Sequence, residues 1–170
     1  MSIAAVVLAA GEASRFGTPK QRLLLPEVLE RLEQSPVDDI VVVAGAHTLE
    51  TPARVVTCAG WKRGPGASLS SGLEELGDDV EAAIVVLADG PDLNPEAVER
   101  VIASWRAEGG SVVAASYGGE RGHPLLIARE AWGMVPDEGL RTLEARLVPS
   151  DDLGDPGDVD TPADLPPRLR

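Results

Sequence analysis

Apolar and polar positions alternate in blocks along the chain. Ile3 to Leu8 is a continuous run rich in β-branched residues that ends at Ala9, Ala10 and Gly11. Such a run predicts a strand buried on both faces, followed by a glycine-bounded loop. Glu27 to Leu32 has helical spacing and is stopped by Ser35 and Pro36, and Ile40 to Ala44 repeats the buried-strand signature. Arg54 to Cys58 predicts a weaker third strand, Gly66 to Leu76 a helix with Leu69, Leu73 and Leu76 on one face, and Ile84 to Ala88 another buried strand. Asn94 as N-cap, Pro95 at the first helical position and Glu96 behind it open a helix that runs to about Glu108, before Gly109 and Gly110. Strands follow at Ser111 to Ala115 and Pro124 to Ala128, then a short helix at Glu138 to Ala145 and a small strand at Leu147 to Val148.

Buried strands that alternate with helical patterns imply an α/β fold, a mostly parallel sheet covered on both faces in a Rossmann-like three-layer sandwich. At 170 residues, with 44% hydrophobic positions, the chain is expected to form a single domain over residues 1–170. In sheets of this kind ligands bind at the carboxyl ends of strands, near the point where strand order reverses.

Charge narrows the function classes. The net charge is −13, and it is uneven: residues 1–63 balance, whereas residues 64–170 hold the whole excess of acid. A broad cationic face is absent, which argues against nucleic-acid and anionic-membrane binding and places any polyanion near the first third of the chain. Cys58 is the only cysteine, so no intramolecular disulfide and no cysteine metal cage can form. No apolar run approaches the roughly 20 residues of a membrane span, and the N-terminus lacks the basic flank of a signal peptide. A cytoplasmic location is expected.

The richest chemistry lies after the first strand, in Leu8-Ala9-Ala10-Gly11-Glu12-Ala13-Ser14-Arg15-Phe16-Gly17-Thr18-Pro19-Lys20. Backbone amides at such a strand-to-loop junction can face phosphate oxygens, and Arg15 and Lys20 supply positive charge. Five residues separate Gly11 from Gly17 and Lys20 does not follow the second glycine, so this is neither a Walker A loop nor a dinucleotide fingerprint. A nicotinamide-dependent oxidoreductase is disfavoured by the same spacing. Asp89 at the end of a buried strand and Asp160 in a late loop form a candidate carboxylate pair for a hard divalent cation. Asp160 lies in an acidic run with Asp151, Asp152, Asp155, Asp158 and Asp164, and the sequence leaves Asp158 open as the alternative ligand.

The segment L-A-A-G-x-x-S-R-x-G-x-x-K resembles the signature of the MobA-like nucleotidyltransferases, which include the molybdenum cofactor cytidylyl- and guanylyltransferases and methylerythritol phosphate cytidylyltransferase. Four further segments match in order: Trp61-Lys62-Arg63-Gly64 through Ser68-Leu69 to Gly72-Leu73, Leu87-Ala88-Asp89-Gly90-Pro91, Arg121-Gly122-His123-Pro124, and Asp158-Val159-Asp160-Thr161-Pro162-Ala163-Asp164-Leu165. The resemblance implies a fold of the nucleotide-diphospho-sugar transferase type and an Mg²⁺-dependent transfer of a nucleotidyl group, with release of pyrophosphate. It implies catalytic roles for Arg15, Lys20 and Asp89, nucleotide binding by Leu8, Ala9, Ala10, Gly11, Arg15, Lys20, Gly64 and Ser68, and metal binding by Asp89 and Asp160. His123 is implied as acceptor-binding, against the alternative of a structural histidine at a strand start. In that reading Gly64 admits a close backbone approach at the base and ribose.

Ala10 in L-A-A-G and the G-H-P element resemble the cytidylyl branch, which favours CTP over GTP and molybdopterin as the phosphorylated acceptor. Rival readings are methylerythritol phosphate or another phospho-acceptor, and a noncatalytic nucleotide-binding assembly factor partnered with a molybdoenzyme or chaperone. The chain departs from the family pattern at residues 21–30, where a short hairpin is missing, and at residues 45–54, which are too short for the usual helix and contain Pro52. Gly90 stands where the family often has Gln, and Gly66-Ala67 replaces two serines.

Overall fold

The computed structural model describes residues 2–11 and 20–170, with the backbone alone at residues 20 and 21. Seven strands form one sheet in the order β3-β2-β1-β4-β6-β5-β7. They are β1 (Ser2–Ala9), β2 (Asp39–Ala44), β3 (Arg54–Thr57), β4 (Val80–Leu87), β5 (Val112–Tyr117), β6 (Glu120–Ala128) and β7 (Arg146–Pro149). Helices α1 (Lys20–Glu33), α2 (Pro65–Glu74) and α3 (Pro95–Glu108) connect them. The pairings β1–β2, β2–β3, β1–β4 and β5–β7 are parallel, while β6 runs antiparallel to both β4 and β5.

Strand periodicity divides the core. In β1, Ile3, Ala5 and Val7 face the layer built by α1 and α3, whereas Ala4 and Val6 face α2. β4 does the same with Ala82, Ile84 and Val86 on one side and Ala83 and Val85 on the other. Two covered faces explain why these strands read as unbroken apolar runs. Gly72 lets α2 lie directly on the sheet, because a Cβ there would sit 2.7 Å from Val6 and 2.8 Å from Val43. Cys58 is buried as a free thiol.

Three local expectations need correction. Helix α1 begins at Lys20 rather than Glu27 and carries Pro26 in its interior. An internal proline costs about 3 kcal/mol, but Leu24, Leu25, Val28 and Leu32 are all almost wholly buried. At about 1.5–3 kcal/mol for each such side chain, burial outweighs the break. The expected helix over Glu138 to Ala145 shrinks to a single 3-10 turn, Leu140–Thr142. Gly139 ahead of it has φ +104°, and the Arg121 guanidinium takes the carbonyls of Leu140 and Leu143 at 2.6 Å each. Those acceptors are what a continuing helix would have used.

Strand β6 also starts four residues earlier than Pro124, at Glu120. Tyr117 pairs with Glu120 across a two-residue hairpin of Gly118 and Gly119, at φ 61° and 79°. Two consecutive left-handed residues suit glycine and match the twist of a tight hairpin. Residues 45–53 carry no helix between β2 and β3, as their length and Pro52 imply. Among the described residues no helix is long and apolar enough to cross a membrane.

The start of α3 follows its sequence signal: Asn94 Oδ1 accepts from the Glu96 amide at 2.9 Å, and Pro95 occupies the first turn. The Asn94 side-chain Nδ2 also donates to the Leu153 carbonyl at 3.4 Å. Replacing Asn94 by Ala is expected to cost about 1 kcal/mol, measured as a shift in the urea midpoint without a change in slope.

Candidate active site

The sheet reverses its order between β1 and β4: β2 and β3 lie beyond β1, and the later strands beyond β4. Carboxyl ends of parallel strands at such a reversal leave a crevice. Here the crevice opens at Leu8 and Leu87, and the Ala88 amide donates to the Leu8 carbonyl at 3.0 Å, closing its floor. Asp89 follows at once.

The C-terminal tail delivers the other carboxylates by backbone pairing. The Asp92 amide donates to the Pro156 carbonyl at 2.9 Å, and the Val159 amide to the Asp89 carbonyl at 3.1 Å. Val159 is buried with Leu24 of α1 and Leu165. In an extended segment alternate side chains face opposite ways, so burying Val159 turns its neighbours Asp158 and Asp160 to the other side. Carboxylate oxygens of Asp89, Asp158 and Asp160 all lie within 4.8 Å of one another. Asp158, open as the alternative to Asp160 in the sequence, thus stands beside it.

The rest of the acidic run has structural work. Asp152 pairs with Arg100 at 2.8 Å, Asp151 accepts from the Gly118 amide, and Asp155 accepts from the Gly157 amide at 2.8 Å. Asp164 accepts from the amides of Asp160 and Thr161 at 3.1 and 3.0 Å, fixing the turn just beyond the site. Arg168 then ties the tail to both neighbours, with Asp92 at 2.8 Å and Glu27 of α1 at 3.4 Å.

Three hollows run along the crevice. One of about 340 Å³ is bordered by Ala10, Gly11, Trp61, Gly64 and Ser68. The next, of about 390 Å³, shares Leu8, Pro65 and Leu87 with it and reaches Arg121, His123 and Arg141. A third, of about 200 Å³, shares Leu87, Gly122 and His123 with the second and ends at Asp158. Leu8, Ala10, Gly11, Gly64, Ser68 and His123 therefore border one continuous trough, while Ala9 is buried beneath it. Arg15 lies outside the described residues. Lys20 opens α1, and its side chain is likewise outside the description.

The space beside Gly64 is taken by this chain itself. A Cβ on Gly64 would lie 2.3 Å from the Asp137 carbonyl oxygen, and one on Gly66 1.7 Å from that of Pro136. The Gly66 amide also donates to the Asp137 carbonyl at 2.9 Å. The close approach expected at Gly64 thus serves the 136–139 loop, which forms the far wall of the trough. Trp61 and Arg141 also border the trough, beyond the residues expected from the sequence. Trp61 stands within a matched motif; Arg141 carries no local signal, because the helical spacing of Glu138 to Ala145 hides the turn that presents it.

Burial pushes the His123 imidazole down to about 4, against the opposing pull of the nearby Asp89 carboxylate. His123 is therefore neutral at pH 7, a hydrogen-bonding group rather than a cation. The Tyr117 hydroxyl donates to the His123 carbonyl at 2.8 Å, and burial pushes its own ionisation up to about 12.

The MobA-like NTP transferase domain matches over residues 5–147. The chain belongs to this family of nucleotidyltransferases. Its sandwich is of the nucleotide-diphospho-sugar transferase type. The probable molybdenum cofactor guanylyltransferase of Bacillus cytotoxicus is 28% identical over 164 residues, covering 86% of this chain and 80% of that protein. The bifunctional protein GlmU of Streptomyces avermitilis is 35% identical over 126 residues, covering 64% of this chain and 26% of GlmU, so the match spans only about a quarter of that protein. The crystal structure of Rv0371c from Mycobacterium tuberculosis superimposes with a TM-score of 0.79 at 27% identity, covering 96% of this chain and 95% of that one. A complex of Rv0371c with manganese gives 0.75 at 25% identity, covering 96% of each chain.

Two outcomes follow for this MobA-like domain. Three carboxylates so close repel one another, at about 1 kcal/mol per pair in water and more where solvent is excluded. Mg²⁺ or Mn²⁺ at ten times its dissociation constant is expected to raise the melting temperature by about 3–5 °C, and Asp89→Asn to abolish the rise in a thermal-shift titration. For His123, the folded value lies below the unfolded value of about 6.5, so the unfolded state binds more protons between them. Its contribution is complete above pH 6.5 and is lost as pH falls toward 4. In urea titrations with chelator present, His123→Gln should flatten this decline by on the order of 2 kcal/mol.

Proposed function

We propose that this chain, acting in the cytoplasm as a single domain, is an Mg²⁺-dependent nucleotidyltransferase that moves CMP from CTP to a phosphorylated acceptor, with molybdopterin as that acceptor. The observation that carries this reading is the convergence of Asp89, Asp158 and Asp160 at the switch point, where Ala88, the residue before Asp89, pairs with Leu8 at the end of β1. The donor set is all carboxylate oxygen, which suits a hard divalent cation that keeps waters and phosphate oxygens as its remaining ligands. When bound, such a cation neutralises the crowded charge of a triphosphate and its attacking partner.

The residues divide the remaining work. Ala10, Gly11 and Ser68 seat the base and ribose, Gly64 makes room for the 136–139 loop that walls their hollow, and Arg15 together with Lys20, at the start of α1, neutralises the triphosphate. An oxygen of the acceptor phosphate attacks the α-phosphorus and forms the new P–O bond. The bond to the bridging oxygen breaks, and its electron pair leaves with pyrophosphate. A phosphate dianion carries no proton to remove, so no general base is required, in keeping with a neutral His123 that orients the acceptor by hydrogen bonding.

CTP is favoured by Ala10 in the L-A-A-G turn. A second reading, GTP, is favoured by the Bacillus cytotoxicus relative, named as a probable guanylyltransferase. Calorimetric titration with CTP, GTP and ATP, with and without Mg²⁺, separates the two. Magnesium-dependent CTP preference supports the first reading and GTP preference the second; no triphosphate binding under any condition overturns both and leaves a noncatalytic assembly factor for a molybdoenzyme. In a pyrophosphate-release assay with molybdopterin, Asp89→Asn and Lys20→Ala are each expected to lower turnover about a hundredfold or more, with circular dichroism unchanged.

A further inference from the structure

Residues 64–170 contain eight arginines and no lysine. Seven of the eight are spent on this chain's own groups. Arg100, Arg106 and Arg168 face carboxylates of Asp152, Glu81 and Asp92. Arg121, Arg129, Arg146 and Arg170 donate to backbone carbonyls. Arg141 alone makes no hydrogen bond or ion pair among the described residues, and it is exposed on the wall of the 390 Å³ hollow. Its planar fork of donors is therefore free to exchange water for an anion, and guanidinium matches phosphate oxygens bidentately.

Its placement is fixed by the turn that carries it. Leu140 is buried, Gly139 is pressed against Pro65, where a Cβ would come within 3.1 Å, and Arg121 clamps the Leu140 and Leu143 carbonyls. Arg121 shares the hollow, but its guanidinium is engaged by those carbonyls. Glu138 is the one carboxylate of the same wall, and the floor is apolar, with Leu69, Leu125 and Leu140. The hollow thus offers one available cation above a hydrophobic floor, and it meets the carboxylate cluster's hollow at His123.

We propose that Arg141 binds the phosphate of the acceptor, holding that dianion across from the triphosphate while a flat ring face of the acceptor lies over the leucine floor. The assignment rests on the nucleotidyl-transfer reading for its purpose, because two anions must be brought together for the P–O bond to form. A planar, bidentate donor suits a phosphate monoester better than a point charge would.

The test uses inorganic phosphate as the probe, followed by ³¹P line broadening, in protein with and without a saturating α,β-methylene analogue of CTP and Mg²⁺. With the analogue filling the triphosphate site, Arg141→Gln is expected to weaken phosphate binding at least about tenfold and Arg141→Lys by about threefold or less. Affinity for the analogue should change less than about twofold in both. Equal phosphate affinity in wild type and Arg141→Gln overturns the proposal, as does a wild-type protein that binds no phosphate. A parallel loss of analogue affinity also overturns it, assigning Arg141 to the nucleotide. If wild type does not bind the analogue, the nucleotidyl-transfer reading falls, and the titration without analogue still decides Arg141: a tenfold loss supports it and no loss overturns it.

Discussion

Like charges at the switch point set the problem that the surrounding architecture solves. Asp89, Asp158 and Asp160 lie within 4.8 Å of one another, and without a cation their repulsion pushes the tail away from the β4 loop. What resists is backbone pairing at Val159 and Asp92 together with the burial of Val159 against Leu24 and Leu165. Hydrophobic burial of one valine is worth about 1.5–3 kcal/mol, comparable with the repulsion it opposes. The cluster is therefore poised: assembled by apolar contact, and relaxed by a divalent ion.

That arrangement links distant parts of the chain. Leu24 belongs to the helix that opens at Lys20, so the wedge that seats the carboxylates also anchors that helix. Arg168 repeats the link at the surface through Glu27 and Asp92. Exposed ion pairs contribute little each. Their role here is to set direction, while the buried valine supplies the attraction.

Much of the fold was legible in the sequence because its strands are buried on both faces and its best helix carries its own cap. β1, β2 and β4 read as unbroken apolar runs, and Asn94 with Pro95 announced α3. What escaped depended on contacts between remote residues. Nothing local to Leu140 reports that Arg121 will capture its carbonyl, and nothing local to Pro26 reports that leucines beside it will be wholly buried. The Gly118-Gly119 dipeptide, by contrast, is itself a local signal for the tight hairpin that it forms. Of the candidate site, Asp89 and the tail aspartates were legible as motif positions. Their union was not, because it depends on Val159 pointing away from them.

The reversed strand β6 has a consequence for how such a site can diversify. In a wholly parallel sheet every side chain at the crevice comes from a strand end or a loop, where insertions are tolerated. Here β6 enters the crevice with its opening residues, and Arg121 and His123 sit within a strand that lies between β4 and β5. A wall that pairs within a sheet lengthens less freely than a loop, because an added residue must be taken up by a bulge, as at the register shift between Ala114 and Ser116, or it turns the side chains beyond it to the opposite face. Substrates of other sizes are thus accommodated more readily by the 136–141 turn, which leaves the paired wall as the stiffer jaw and the turn as the adjustable one.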